Sequence, residues 1–67
     1  MDAETIAKGL SDVQRERIMS VNPDDVDRFH YRPFEGRSKG LFNIAPGWQR
    51  LELSPLGREV RAILKGE

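Results

Sequence analysis

Residues 40–64 read GLFNIAPGWQRLELSPLGREVRAIL, and the architecture is decided here, where a strand pattern gives way to a helical one. Leu41 to Ala45 and Trp48 to Leu53 are strand candidates joined across Pro46-Gly47. That dipeptide suits a type II turn, because proline sets one dihedral and glycine accepts the positive φ that follows. A type II turn splays a two-residue hairpin, so a slightly longer loop also fits. Pairing Ile44 with Gln49 sets Phe42 opposite Leu51 and gathers Phe42, Ile44, Leu51 and Leu53 on one face, with Trp48, Arg50 and Glu52 on the other. Ser54-Pro55 then signals a helix start, serine as cap and proline in the first turn. Leu56, Val60, Ile63 and Leu64 follow at i, i+4, i+7 and i+8, a single apolar stripe ending near Gly66.

Upstream, Ile6, Leu10, Val13, Ile18 and Val21 fall near helical spacing, interrupted by Gly9 and Ser11. Ser11 followed by Gln14 is a capping-box pattern, so the main first helix is expected at Asp12 to Ser20, with Thr5 to Leu10 a separate turn or short helix. Asn22-Pro23-Asp24-Asp25 carries the same kind of start signal, a cap, a proline and acids at the positive end of the helix dipole. It predicts a short helix from Pro23 to Phe29 or His30. Pro33 disfavours helical geometry at Arg32, and Gly36 and Gly40 follow, so Tyr31 to Lys39 reads as a loop with at most one helical turn.

The 67 residues allow one domain, spanning 1–67, of α+β class: helices, a two-stranded antiparallel hairpin and a C-terminal helix. A domain this small buries only about 60% of the surface its unfolded chain exposes, so its core must be local. With no cysteine and one histidine, neither a disulfide framework nor a thiolate or histidine-rich zinc site is available, and no metal or cofactor is expected. No run approaches the roughly 20 apolar residues of a membrane span, and no targeting signal is visible, so a cytoplasmic protein without membrane partners is expected. The net charge of zero conceals an asymmetry: residues 1–27 hold seven acids against three bases, and residues 28–67 hold eight bases against four acids. Such a chain can turn a basic face to a polyanion or pair acidic and basic faces of two copies.

Two stretches resemble winged-helix proteins of the multiple-antibiotic-resistance-regulator type and related small regulators. Leu10-Ser11-Asp12-Val13-Gln14 through Ile18 is similar to the opening of a first scaffold helix. Lys39-Gly40-Leu41, a strand, then Leu51-Glu52-Leu53-Ser54-Pro55-Leu56-Gly57-Arg58 through Leu64 is similar to the entry to the wing and the helix after it. The resemblance implies a winged-helix-like fold and a regulatory DNA-binding protein. In that family a recognition helix lies between the two motifs and inserts in the major groove. Here only Val21 to Ser38 fill the gap, with Pro23, Pro33 and Gly36 among them, so the winged helix is truncated in its recognition-helix region.

Arg28, Arg32, Arg37, Lys39 and Arg50 are interleaved with Phe29, Tyr31, Phe34 and Trp48. Arg28, Arg32, Arg37 and Lys39 are candidates for phosphate contacts on double-stranded DNA, with Arg50 and Trp48 presented by the wing. Phe29, Phe34 and Phe42 are expected in the core. The rival reading is a protein-interaction module on a degenerate winged helix, with Tyr31, Phe34 and Trp48 as anchors for a protein partner. A homodimer through the C-terminal helix is a further option if its stripe exceeds what one domain covers. Asp24, Asp25 and Asp27 are explained by a helix start, and calcium-loop spacing is missing. His30 suits a surface or helix-end role, since no serine has a nucleophile context and the glycines lack phosphate-loop spacing. A non-enzymatic protein is expected.

Overall fold

Helix α1 spans Ala3–Gly9 and α2 spans Asp12–Ser20, and each owes its start to a side-chain cap. The computed structural model, which describes residues 2–35, 39–44 and 50–66, shows Asp2 accepting from the Thr5 backbone N–H at 2.8 Å. The first helix thus begins two residues earlier than its apolar spacing implies. At α2 the capping box is complete: Gln14 N–H donates to the Ser11 hydroxyl at 3.2 Å, and Ser11 N–H donates to the Gln14 side chain at 2.9 Å. Satisfying orphan N–H groups at both ends of this exchange fixes the break between the two helices.

The short helix expected from Pro23 is not there. Asn22 and Asp25 close a turn instead, with Asp25 N–H donating to the Asn22 carbonyl at 3.1 Å and Asp24 N–H to the Asn22 side chain at 3.0 Å. An Asn-Pro-Asp-Asp run serves a turn as well as a helix start, because the asparagine side chain mimics a backbone turn. Strand β1, Val26–Asp27, follows and pairs antiparallel with β3, Arg50–Leu53. The Leu53 N–H reaches the Pro23 carbonyl at 2.9 Å and extends the same edge. The expected two-stranded hairpin is therefore a three-stranded antiparallel sheet of order β1-β3-β2, with β2 at Phe42–Ile44.

Helix α3, Arg28–Tyr31, is one turn, starting at Asp27 and tightening into a 3-10 turn at Arg32–Phe34. Arg32 keeps helical backbone angles in spite of Pro33, since its N–H donates to the Arg28 and Phe29 carbonyls and its carbonyl accepts from Glu35. These bonds offset the pre-proline bias against the α region. A second 3-10 turn, Lys39–Leu41, occupies what reads in sequence as the loop end and the start of the strand.

The hairpin register differs from the expected one by two residues. Phe42 pairs with Leu53 and Ile44 with Leu51. An even shift keeps side chains on their faces. Phe42, Leu51 and Leu53 are accordingly buried and Arg50 is exposed, but Ile44, at the end of the outer strand, is 72% exposed and not in the core. Ala45, Pro46, Gly47, Trp48 and Gln49, on which the expected turn and the outward tryptophan rest, lie outside the described residues, as do Gly36 and Arg37.

Helix α4, Pro55–Lys65, is capped by Ser54, whose hydroxyl accepts from Gly57 N–H at 3.0 Å, and ends at Gly66 in the left-handed conformation (φ 77°) that glycine adopts without a Cβ penalty. Its stripe turns inward against α1 and α2: Val60 is fully buried, Leu56 and Leu64 are half-buried against the core, and Ile63 is 41% exposed. The core gathers Ala3, Ala7, Leu10, Ile18, Val21, Val26, Phe34, Leu41, Phe42, Leu51, Leu53 and Val60. Val13, expected with them, is 55% exposed, and the buried α2 position there is Gln14, whose side-chain amide donates to the Pro33 carbonyl at 2.7 Å. The arrangement of helices and sheet is consistent with a small winged-helix-like fold.

Candidate nucleic-acid interface

Asp27 is the residue that starts α3, and it positions the cationic candidates. Its carboxylate accepts from the His30 backbone N–H at 3.1 Å and lies 3.2 Å from His30 Nδ1. The backbone hydrogen bond from His30 is the main cause of its lowered pKa, partial burial opposing and the histidine's charge adding to it. With the helix beginning at Arg28, Tyr31 and Phe34 stand three residues apart on the inner side. Tyr31 and Phe34 each meet Phe42 edge-on, with centroids 5.1 Å apart in both pairs.

Phe29 turns the other way. It was expected in the core and is 57% exposed, because a one-turn helix has a single inward side and Tyr31 with Phe34 fills it. The guanidinium of Arg17 on α2 lies over its ring, 4.9 Å from the centroid, and the His30 ring makes a T-shaped pair with it at 6.0 Å. Arg28, Phe29, Arg32 and Glu35 line an open concavity of about 400 Å³. Arg28 and Arg32, four residues apart, are thereby brought together as the sequence spacing implies.

Arg50 is elsewhere and engaged. Its Nη1 donates to the Asp25 carboxylate at 2.5 Å, and that hydrogen bond, followed by the carboxylate's charge, raises the arginine pKa further. Arg58 on α4 binds the neighbouring Asp24 at 2.5 Å. The two aspartates that read as a helix start thus hold cations from β3 and α4. Both pairs are largely exposed and contribute little to stability.

Of the other candidates, Arg37 and Trp48 lie outside the described residues, and only the backbone of Lys39 is described, at the start of its 3-10 turn. Phe34, proposed as a partner anchor, is fully buried and unavailable for that role; Tyr31 is half-buried against Phe42. Arg17 and Glu35 are members of the site that the basic cluster alone does not reveal. The Asp27-x-x-His30 cap is the local signal that would have found the arrangement, since it places the helix start at Arg28 and so separates Phe29 from Tyr31 and Phe34.

Among the described residues no helix is long and apolar enough to cross a membrane. No family model, curated protein or solved structure matches the chain.

Proposed function

We propose that this domain is a small, non-enzymatic DNA-binding regulatory protein of winged-helix type that grips the phosphate backbone and does not read base edges with a recognition helix. The observation that carries the reading is the convergence of Arg28 and Arg32 on one concavity, with Arg17 alongside over Phe29 and Glu35 as the acid among the lining residues. The three guanidiniums come from α2, α3 and the 3-10 turn that follows it, and arginine is well suited to phosphate because its planar fork binds two oxygens at once. Four residues of α3 at about 1.5 Å per residue make a helix of about 6 Å, too short to lay along a major groove about 12 Å wide with several base-reading side chains.

Binding to duplex DNA of random sequence is the test. Replacing Arg32 with Ala should weaken binding alike on every sequence and reduce the salt slope by about one. An Arg32→Ala variant that binds with unchanged affinity and slope would remove Arg32 from the interface. The interaction-module alternative retains Tyr31 and Trp48 as anchors, without the buried Phe34.

A further inference from the structure

Phe29 is the apolar side chain in the lining of the basic concavity, and a phosphate-gripping site has no evident need of an exposed apolar ring. We propose that this site binds single-stranded nucleic acid, with an unpaired base stacked on Phe29 and the flanking phosphates held by Arg28 and Arg32; the inference rests on the DNA-binding reading and names the form of the ligand. Three observations converge. The ring is 57% exposed although it belongs to a folded turn with a satisfied cap, so it is held in place and not merely loose. Arg17 lies over the ring at 4.9 Å and the His30 ring stands nearly perpendicular to it at 6.0 Å, which orients the aromatic plane before any ligand arrives. Arg28 and Arg32 line the same concavity as the ring.

A base paired in a duplex has both faces covered by its neighbours. A ring rooted in a concavity cannot reach those faces, whereas an unpaired base can lie flat on it, and stacking of this kind tolerates any base because every base has a π face. The cation over the ring adds to the stack through the ring's quadrupole, as a guanidinium does over other aromatics. Charge and stacking together favour the same occupant: the arginines suit phosphates, and a polyglutamate chain would offer them carboxylates but no aromatic face for Phe29.

Fluorescence anisotropy with the full chain at low salt tests the inference, using homopolymers of thymidine and of uridine about twenty nucleotides long, a random duplex of equal length, and polyglutamate. The expected result is tighter binding of the single strands than of the duplex. Phe29→Ala should weaken single-strand binding by roughly tenfold or more, a clearly larger factor than its effect on duplex binding, while Phe29→Tyr should retain single-strand binding. Circular dichroism should show both variants folded, since the side chain lies outside the core. A preference for duplex, or equal loss of both ligands in Phe29→Ala, overturns the inference and leaves the phosphate-binding function standing. No binding to any nucleic acid overturns both, and polyglutamate bound as tightly as the thymidine strand overturns the assignment of a base on Phe29.

Discussion

The guanidinium carbon of Arg17 sits 4.9 Å from the centroid of the Phe29 ring, so a cation on α2 and an aromatic on α3 form one contact across two elements. An exposed pair of this kind contributes about 0.5–1 kcal/mol. In a double-mutant cycle, Arg17→Ala and Phe29→Ala should each cost about that much, and the double variant should cost clearly less than their sum. Strict additivity in urea denaturation would mean that the two side chains do not interact in solution.

Gly57 faces the backbone of Leu41 so closely that a Cβ there would stand 2.2 Å from the Leu41 carbonyl oxygen. The carbonyl cannot retreat freely, because it accepts from Ser54 N–H at 3.0 Å. Helix propensity alone favours Gly57→Ala by about 1 kcal/mol, whereas overpacking costs about 1–3 kcal/mol or more. The clash should win. A lower urea midpoint is expected for Gly57→Ala, and a higher one would show that α4 does not pack on Leu41 as described.

Gln14 has two tasks, accepting from Ser11 N–H and donating to the Pro33 carbonyl. Gln14→Glu keeps the first and, when ionised, loses the second while turning a carboxylate against a carbonyl oxygen. A loss of about 1–3 kcal/mol at neutral pH is expected. Protonation restores a donor, so stability of the variant relative to the parent should recover as pH falls through the glutamate's titration. Equal stability of the two proteins at all pH values would contradict the α2–Pro33 link.

Asp2 and Asp27 both have lowered pKa values, Asp2 chiefly through the Thr5 backbone N–H and Asp27 chiefly through that of His30. A carboxylate whose folded pKa is depressed adds stability above its unfolded pKa, near 3.9, and that contribution is lost as pH falls through the folded value. The Tm of the parent should therefore drop in that acid window more than that of Asp2→Asn or Asp27→Asn, whose caps do not titrate. Parallel Tm curves for parent and variants would show that these caps do not form.

The elements that were legible in sequence are those specified by a few adjacent residues. Ser11 with Gln14, and Ser54-Pro55 with Gly66, mark the starts of α2 and α4 and the end of α4, because a cap is a contact within one turn. What remained hidden depends on contacts between distant residues. Strand β1 has two residues and exists only through its pairing of Val26 with Leu51 and Asp27 with Arg50, so no period announces it. The burial of Gln14 reflects an acceptor at Pro33, and the constraint on Gly57 reflects a carbonyl at Leu41. For the site, Arg28 and Arg32 were visible as a basic pair, whereas the exposure of Phe29 follows from Tyr31 and Phe34 filling the inner side, and Arg17 enters from another helix.

The affinity for random duplex DNA as a function of salt probes the proposed function most directly. With at least two arginines on phosphates, log K should fall linearly against log salt with a slope of about −2 or steeper. A flat dependence, or no binding even at low salt, would contradict it.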